Sequence, residues 1–100
     1  MMKNRMRPIH PGEILHEEYM APLGISANAL ARALGVTPAR INEIVRQKRG
    51  VTGDTALRLA RYFGTDAQSW LNLQIAYDLR IVELASGNAI KRQVKPREAA

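Results

Sequence analysis

Apolar residues recur every three or four positions along most of the chain, the period of helices with one face turned inward. No stretch of useful length alternates apolar and polar residues as a half-buried strand would. Five helices follow from the pattern and its punctuation. The first starts near Pro11-Gly12, carries Leu15 and Tyr19 on one face through Met20, and ends at Pro22 and Gly24. The second opens with Ser26 as N-cap, presents Ala27, Leu30, Ala31 and Leu34 inward, and turns at Gly35. The third has Thr37 as N-cap and Pro38 at its first position. It buries Ile41, Ile44 and Val45, and Gly50 is expected to close it. Thr52 caps a fourth, with Ala56, Leu57, Ala60 and Phe63 inward and Gly64 as the stop. Thr65-Asp66-Ala67-Gln68 reads as a capping box for a fifth, running from about Asp66 to Ala85 until Ser86-Gly87-Asn88 breaks it.

Residues 26–50 are the informative stretch. Two short helices meet at a tight turn. Ala31 and Gly35 are small where the helices must approach closely, and Val36 and Ile41 fill the angle between them. That is the pattern of a helix-turn-helix, whose second helix can enter the DNA major groove.

The fifth helix carries two apolar stripes. Trp70, Leu73, Tyr77, Ile81 and Leu84 share one, and Leu71, Ile75, Leu79 and Val82 share the other. One stripe docks a helix on its own domain. The second needs another partner, and a two-fold homodimer through Leu71, Ile75, Leu79 and Val82 is the simplest, since it suits paired half-sites on duplex DNA. The competing reading wraps the helix in its own chain, but the segments before Glu13 and after Gly87 are mostly polar.

Composition sharpens this picture. A chain of 100 residues, 46% hydrophobic and 24% charged, is one small domain. Its formal net charge is +6, and the span from Arg32 to Arg61 holds seven basic residues against Glu43 and Asp54, so it supplies +5 of that excess. The first helix is acidic, with Glu13, Glu17 and Glu18. Charge segregated in this way points to a polyanionic partner, double-stranded DNA before a membrane surface. The outer face of the third helix offers Ala39, Arg40, Asn42, Glu43 and Arg46 to base edges. Arginine pairs with guanine O6 and N7, asparagine reads adenine, and a small residue lets the helix approach a thymine methyl. Glu43 would accept from cytosine or orient Arg40 or Arg46. Asn28, Thr37, Lys48 and Arg49 are placed for phosphates. A solvated charged face on a small bundle is the plain alternative.

Other chemistry is poorly supplied. There is no cysteine, which excludes disulfides, thiol catalysis and cysteine-ligated metals. His16-Glu17 opens like a zinc-protease helix, but Met20 stands where the second histidine belongs. Glu17 and Glu18 are adjacent and diverge on a helix, and no phosphate loop or nucleophile elbow is present. The expectation is therefore no enzyme, no metal and no cofactor. No apolar run approaches the ~20 residues of a membrane span, and the basic start lacks the apolar stretch of a signal peptide, so a cytoplasmic protein without a membrane partner is expected.

The runs Arg7-Pro8-Ile9-His10-Pro11-Gly12-Glu13-Ile14-Leu15, Pro22-Leu23-Gly24-Ile25-Ser26 and Leu30-Ala31-Arg32-Ala33-Leu34-Gly35-Val36 resemble the HigA antitoxin family, within the Xre/Cro group of phage-repressor-like helix-turn-helix proteins. Ala56-Leu57-Arg58-Leu59-Ala60, Phe63-Gly64-Thr65, Trp70-Leu71-Asn72-Leu73-Gln74 and Tyr77-Asp78-Leu79 extend the resemblance over about residues 7–80. It implies an all-α, five-helix, lambda-repressor-like domain that binds an operator with an inverted repeat. It also implies autoregulation of the operon and neutralisation of a HigB-type ribonuclease toxin. The family's recognition helix matches Thr37 to Gln47, whereas toxin-contacting residues do not carry over. The expected organisation is a basic arm over 1–11, the helix-turn-helix domain with its dimerising last helix over 12–86, and a mobile basic tail over 87–100. Two further readings stay open: a stand-alone regulator without a toxin, and a module that only sequesters a toxin, with incidental DNA affinity.

Overall fold

The computed structural model describes residues 7–98. Residues 1–6 of the expected arm and 99–100 of the expected tail lie outside them. Five helical stretches account for most of the chain, and there is no strand among the described residues. The first, α1, has three consecutive segments, Pro11–Ile14, Leu15–Met20 and Ala21–Leu23. The middle segment is wound as a wide π-helix. It delivers the chain to Pro22, whose ring cannot donate and would crowd the carbonyl four residues back in a regular helix. The others are α2 (Ala27–Leu34), α3 (Pro38–Val45), α4 (Gly53–Phe63) and α5 (Ala67–Gln93).

The caps are local chemistry, legible from the side chains themselves. Ser26 accepts from the Ala29 N–H at 3.1 Å, Thr37 from Arg40 at 3.2 Å and Thr52 from Thr55 at 3.5 Å. Gly35 turns the chain between α2 and α3 at φ 71°, a left-handed conformation that favours glycine. The core gathers Leu15 and Met20 from α1, Leu30, Ala31 and Leu34 from α2, Ile41 and Ile44 from α3, Ala56 and Leu59 from α4, and Trp70 from α5. Each of these leucines and isoleucines contributes roughly 1.5–3 kcal/mol by leaving water. Aromatic contacts close one end: Tyr19 stands 4.9 Å from Phe63 and 5.3 Å from Trp70.

Four local expectations are corrected. Leu57 is 67% exposed, and the inward positions of α4 are instead Thr55, Ala56 and Leu59. The helix meets the core along the 55/56/59 edge, which turns residue 57 outward. The N-cap of α5 is Asp66, which accepts from the Ser69 N–H at 2.9 Å, while Thr65 accepts from the Trp70 indole at 3.0 Å. Gly50 does not close α3; the helix ends at Val45 and the left-handed residue after it is Gln47, at φ 63°. Finally, Ser86-Gly87-Asn88 does not break α5, which continues unbroken to Gln93, so the first half of the expected mobile tail, residues 87–93, is helical. One glycine in an exposed helix interior costs about 1 kcal/mol, too little to stop a long helix with good formers on either side.

Only the first part of α5 docks on the domain. Trp70 is buried, Leu71 and Leu73 pack against the core, and Tyr77 is half-buried. Beyond it Ile81 and Leu84 are exposed again. The molecule is accordingly elongated, 54 × 26 × 25 Å.

Candidate nucleic-acid interface

The helix-turn-helix is made of α2 and α3, and its setting is fixed from three sides. Arg58 on α4 donates to the Leu34 carbonyl at the end of α2 at 2.8 Å and to Asp54 at 2.9 Å. Asp54 also accepts from Arg40 of α3 at 2.6 Å. One carboxylate thus ties α3 to α4, and Arg58 carries the tie on to α2. The two guanidinium groups, Arg58 first, hold Asp54 below the usual carboxylate range.

From the other side α1 meets the end of α3 with no spare room. A Cβ at Gly12 would stand 1.8 Å from the Ile44 carbonyl oxygen. The Gly12 N–H donates to Nδ1 of His10, the buried N-cap of α1, at 2.8 Å. The His10 ring meets Tyr77 of α5 edge-on at 4.8 Å. Burial pushes the imidazole below its ordinary value, against the pull of the Asp78 carboxylate and of a hydrogen bond to the Arg49 backbone. The third side is the loop after α3, where the Val51 N–H donates to Gln74 Oε1 of α5 at 2.7 Å.

Within this frame the expected contact residues divide. Ala39 is exposed on α3 and Arg46 is exposed at its C-cap. Arg40 is half-buried and committed to Asp54 in the free chain. Asn42 donates to the Pro38 carbonyl one turn back at 3.1 Å. Glu43 orients neither Arg40 nor Arg46, which corrects that expectation; it pairs with Arg49 at 2.8 Å. Asn28 is exposed in the first turn of α2. Thr37 spends its oxygen on the α3 cap and keeps its hydroxyl proton to donate. Lys48 is exposed on the loop beside Arg49. Of the seven basic residues from Arg32 to Arg61, Arg40, Arg49 and Arg58 are in ion pairs, while Arg32, Arg46, Lys48 and Arg61 have none among the described residues. Ile75, Leu79 and Val82 stand exposed along α5, and Leu71 at the head of that stripe lies against the core.

Gly12, His10, Gln74 and the Asp54–Arg58 pair are the residues that sequence reasoning missed. Asp54 and Arg58 are a local i,i+4 pair, but their bonds to Arg40 and Leu34, like those of Gln74 to Val51 and the close approach of Gly12 to Ile44, span 14 or more residues, and no local periodicity marks such contacts. No group of three or more acidic, histidine or cysteine side chains is arranged to hold a metal among the described residues, and no described helix is long and apolar enough to cross a membrane.

A compact helical domain presenting a short helix with exposed cations at its end defines a helix-turn-helix DNA-binding protein. Residues 17–70 match the helix-turn-helix family model, and the chain belongs to that family. Virulence-associated protein I of Dichelobacter nodosus is 70% identical over 81 residues, 81% of this chain and 75% of that protein. The antitoxin HigA of Pseudomonas aeruginosa, solved with the higBA promoter, is 49% identical with a TM-score of 0.89, covering 92% of this chain and all of that one. The antitoxin GraA in complex with its operator is 50% identical with a TM-score of 0.90, covering 99% of this chain and 100% of that one. The resemblance to HigA antitoxins is thereby upheld, and the chain stands among DNA-binding regulators of toxin–antitoxin modules, which are not enzymes.

Proposed function

We propose that this chain represses its own operon as a homodimer bound to an inverted repeat, and that it neutralises a HigB-type ribonuclease toxin in the cytoplasm. The observation that carries the DNA half is the set of cations around α3 with no ion-pair partner among the described residues: Arg46 at its end, Lys48 on the following loop, and Arg32 on α2. In this reading α3 enters the major groove. Ala39 allows close approach, Arg46 reads a guanine edge, and Asn42, Arg40 and Glu43 reach bases once they leave their internal partners. Asn28, Thr37, Lys48 and Arg49 grip phosphates on either side, with the amides at the start of α2 and α3 adding to the hold. Ile75, Leu79 and Val82, with Leu71 at the margin, face the second subunit.

The relatives solved with promoter or operator DNA support this reading. The rival module, which would only sequester a toxin on the acidic first helix, is less well served. Glu13 there is already paired with Arg7 at 2.6 Å and Glu17 with His16 at 2.9 Å. Footprinting on the DNA upstream of the gene tests the proposal. Protection of a short inverted repeat at physiological salt is expected, and no protection even at modest salt would leave only the sequestering module. An adjacent reading frame encoding a small ribonuclease separates the antitoxin from the stand-alone regulator.

A further inference from the structure

The loop from Gln47 to Gly50 has no regular structure, and Gln47, Lys48 and Arg49 are exposed. Its geometry is nevertheless set at both ends: the Gln47 N–H donates to the Ile44 carbonyl at 2.9 Å and the Lys48 N–H to the Glu43 carbonyl at 2.8 Å, and the far end is fastened to α5. The Val51 side chain is buried, and its N–H donates to Gln74 Oε1 at 2.7 Å across 23 residues of sequence. Gly50 lies under the same amide: a Cβ there would come within 2.9 Å of Gln74 Cδ and 3.0 Å of both its terminal atoms. The other end of that amide donates to Asp78 Oδ1 at 2.9 Å, which orients it so that the oxygen faces the loop. A backbone donor left without this acceptor forfeits its hydrogen bond, and the far end of the loop, at Arg49 and Gly50, then loses its tie to α5.

We propose that Gln74 is a positioning residue for DNA binding. From α5 it holds the far end of the loop that carries Lys48 and Arg49, and so completes, with the Lys48 bond to the Glu43 carbonyl and the Arg49–Glu43 pair, the placing of those two cations relative to α3. The inference rests on the reading that they meet phosphates. It makes the helix with the exposed apolar stripe and the loop beside the recognition helix parts of one frame, joined by a single side-chain amide.

The test compares Gln74→Leu, which deletes the acceptor, with the double exchange Gln74→Glu and Asp78→Asn. In the exchange a carboxylate accepts from Val51 and an amide on residue 78 donates to it. Operator affinity is measured against salt, well below the melting temperature, beside amide hydrogen exchange at Val51 in the free protein. Gln74→Leu is expected to speed Val51 exchange, weaken operator binding and lower the slope of log affinity against log salt by about 0.9 for each phosphate that is no longer neutralised. The exchange variant is expected to restore all three. Gly50→Ala, which pushes the amide aside without removing it, is expected to reproduce the leucine phenotype, and it serves where Gln74→Leu does not fold.

Rapid Val51 exchange with parental affinity and slope overturns the inference, as does an exchange variant that protects Val51 yet binds no better than Gln74→Leu. Lys48→Ala and Arg49→Ala in the otherwise unaltered chain separate this failure from that of the underlying reading. If neither changes the slope, the phosphate assignment falls and takes the inference with it. If they lower it and Gln74→Leu does not, only the role of Gln74 is wrong.

Discussion

Arg40, on the helix expected to read bases, donates to Asp54 at the start of α4 at 2.6 Å. The same carboxylate accepts from Arg58, so it ties down two of the seven cations on the basic face. Arg40 serves a base only by giving up that bond, whereas Arg46 has no such partner among the described residues. Arg46→Ala is therefore expected to weaken operator binding by about 1–3 kcal/mol and to relax discrimination at one base pair. Competition titrations against single-base operator variants check it; unchanged discrimination at every position would remove Arg46 from the base-reading set.

Asp54→Asn is expected to act in the opposite sense on non-specific DNA. It releases the charge of Arg40 and Arg58 to the interface, so affinity for unrelated duplex should rise and its salt dependence steepen. Filter binding to a scrambled duplex at two or more salt concentrations decides this. Weaker non-specific binding would mean that the carboxylate orients the arginines for DNA.

Gly12→Ala tests the seam between α1 and α3. The added carbon would overlap a backbone oxygen that no rotamer change can move. A loss of about 3 kcal/mol in unfolding free energy is expected, near the upper range for overpacked sites. Urea denaturation measures it, and a midpoint like that of the parent would show that the two helices are not in contact in solution.

Stability should fall in mild acid because of His10. Its folded-state affinity for protons lies below the ordinary value of 6.5, so below about pH 6.5 the unfolded chain binds more protons than the folded one. Stability is then lost as pH drops from there. The cap requires the same thing, since Nδ1 accepts from the Gly12 N–H only when unprotonated. The contributions of Glu13, held low by Arg7, and of Asp54, held low by Arg58 and Arg40, disappear only as pH falls through the lower carboxylate range. A melting temperature that declines as pH falls below about 6.5 in the parent and declines less in His10→Asn, where asparagine keeps a capping oxygen, is the expected result.

Leu79→Glu addresses the dimer. Leu79 is 60% exposed in the single chain, so the charge has little effect on the fold of one subunit. Sedimentation should show the parent as a dimer and the variant as a monomer that keeps the helical circular dichroism of the parent. A parent that sediments as a monomer at working concentration removes the proposed interface.

Much of this molecule is legible in its sequence. Ser26, Thr37 and Thr52 cap helices within three residues of themselves, and such local rules transfer directly. Leu57 and Leu59 show where periodicity runs out, because a stripe of adjacent apolar residues leaves a helix free to rotate until its neighbours choose the buried edge. The opening His10-Pro11-Gly12 reads as the start of a helix, and it is also a joint to Ile44 and Tyr77. Those partners are remote in sequence, and only the fold brings them there. The ion pairs of Arg40 and Arg49 are hidden for the same reason, since composition counts charges without saying which cancel.

The unbroken passage of α5 through Gly87 gives the molecule a boom. Beyond Arg80, whose side chain is still mostly covered, the helix runs on to Gln93, about 13 residues or some 20 Å at roughly 1.5 Å per residue. A continuous helix has no joint along such a length, so a body that seizes the far tip steers the whole head, α3 included, as a tiller steers a rudder. On the proposed function, a small swing imposed out there would misalign α3 with the DNA groove without touching a single residue of it.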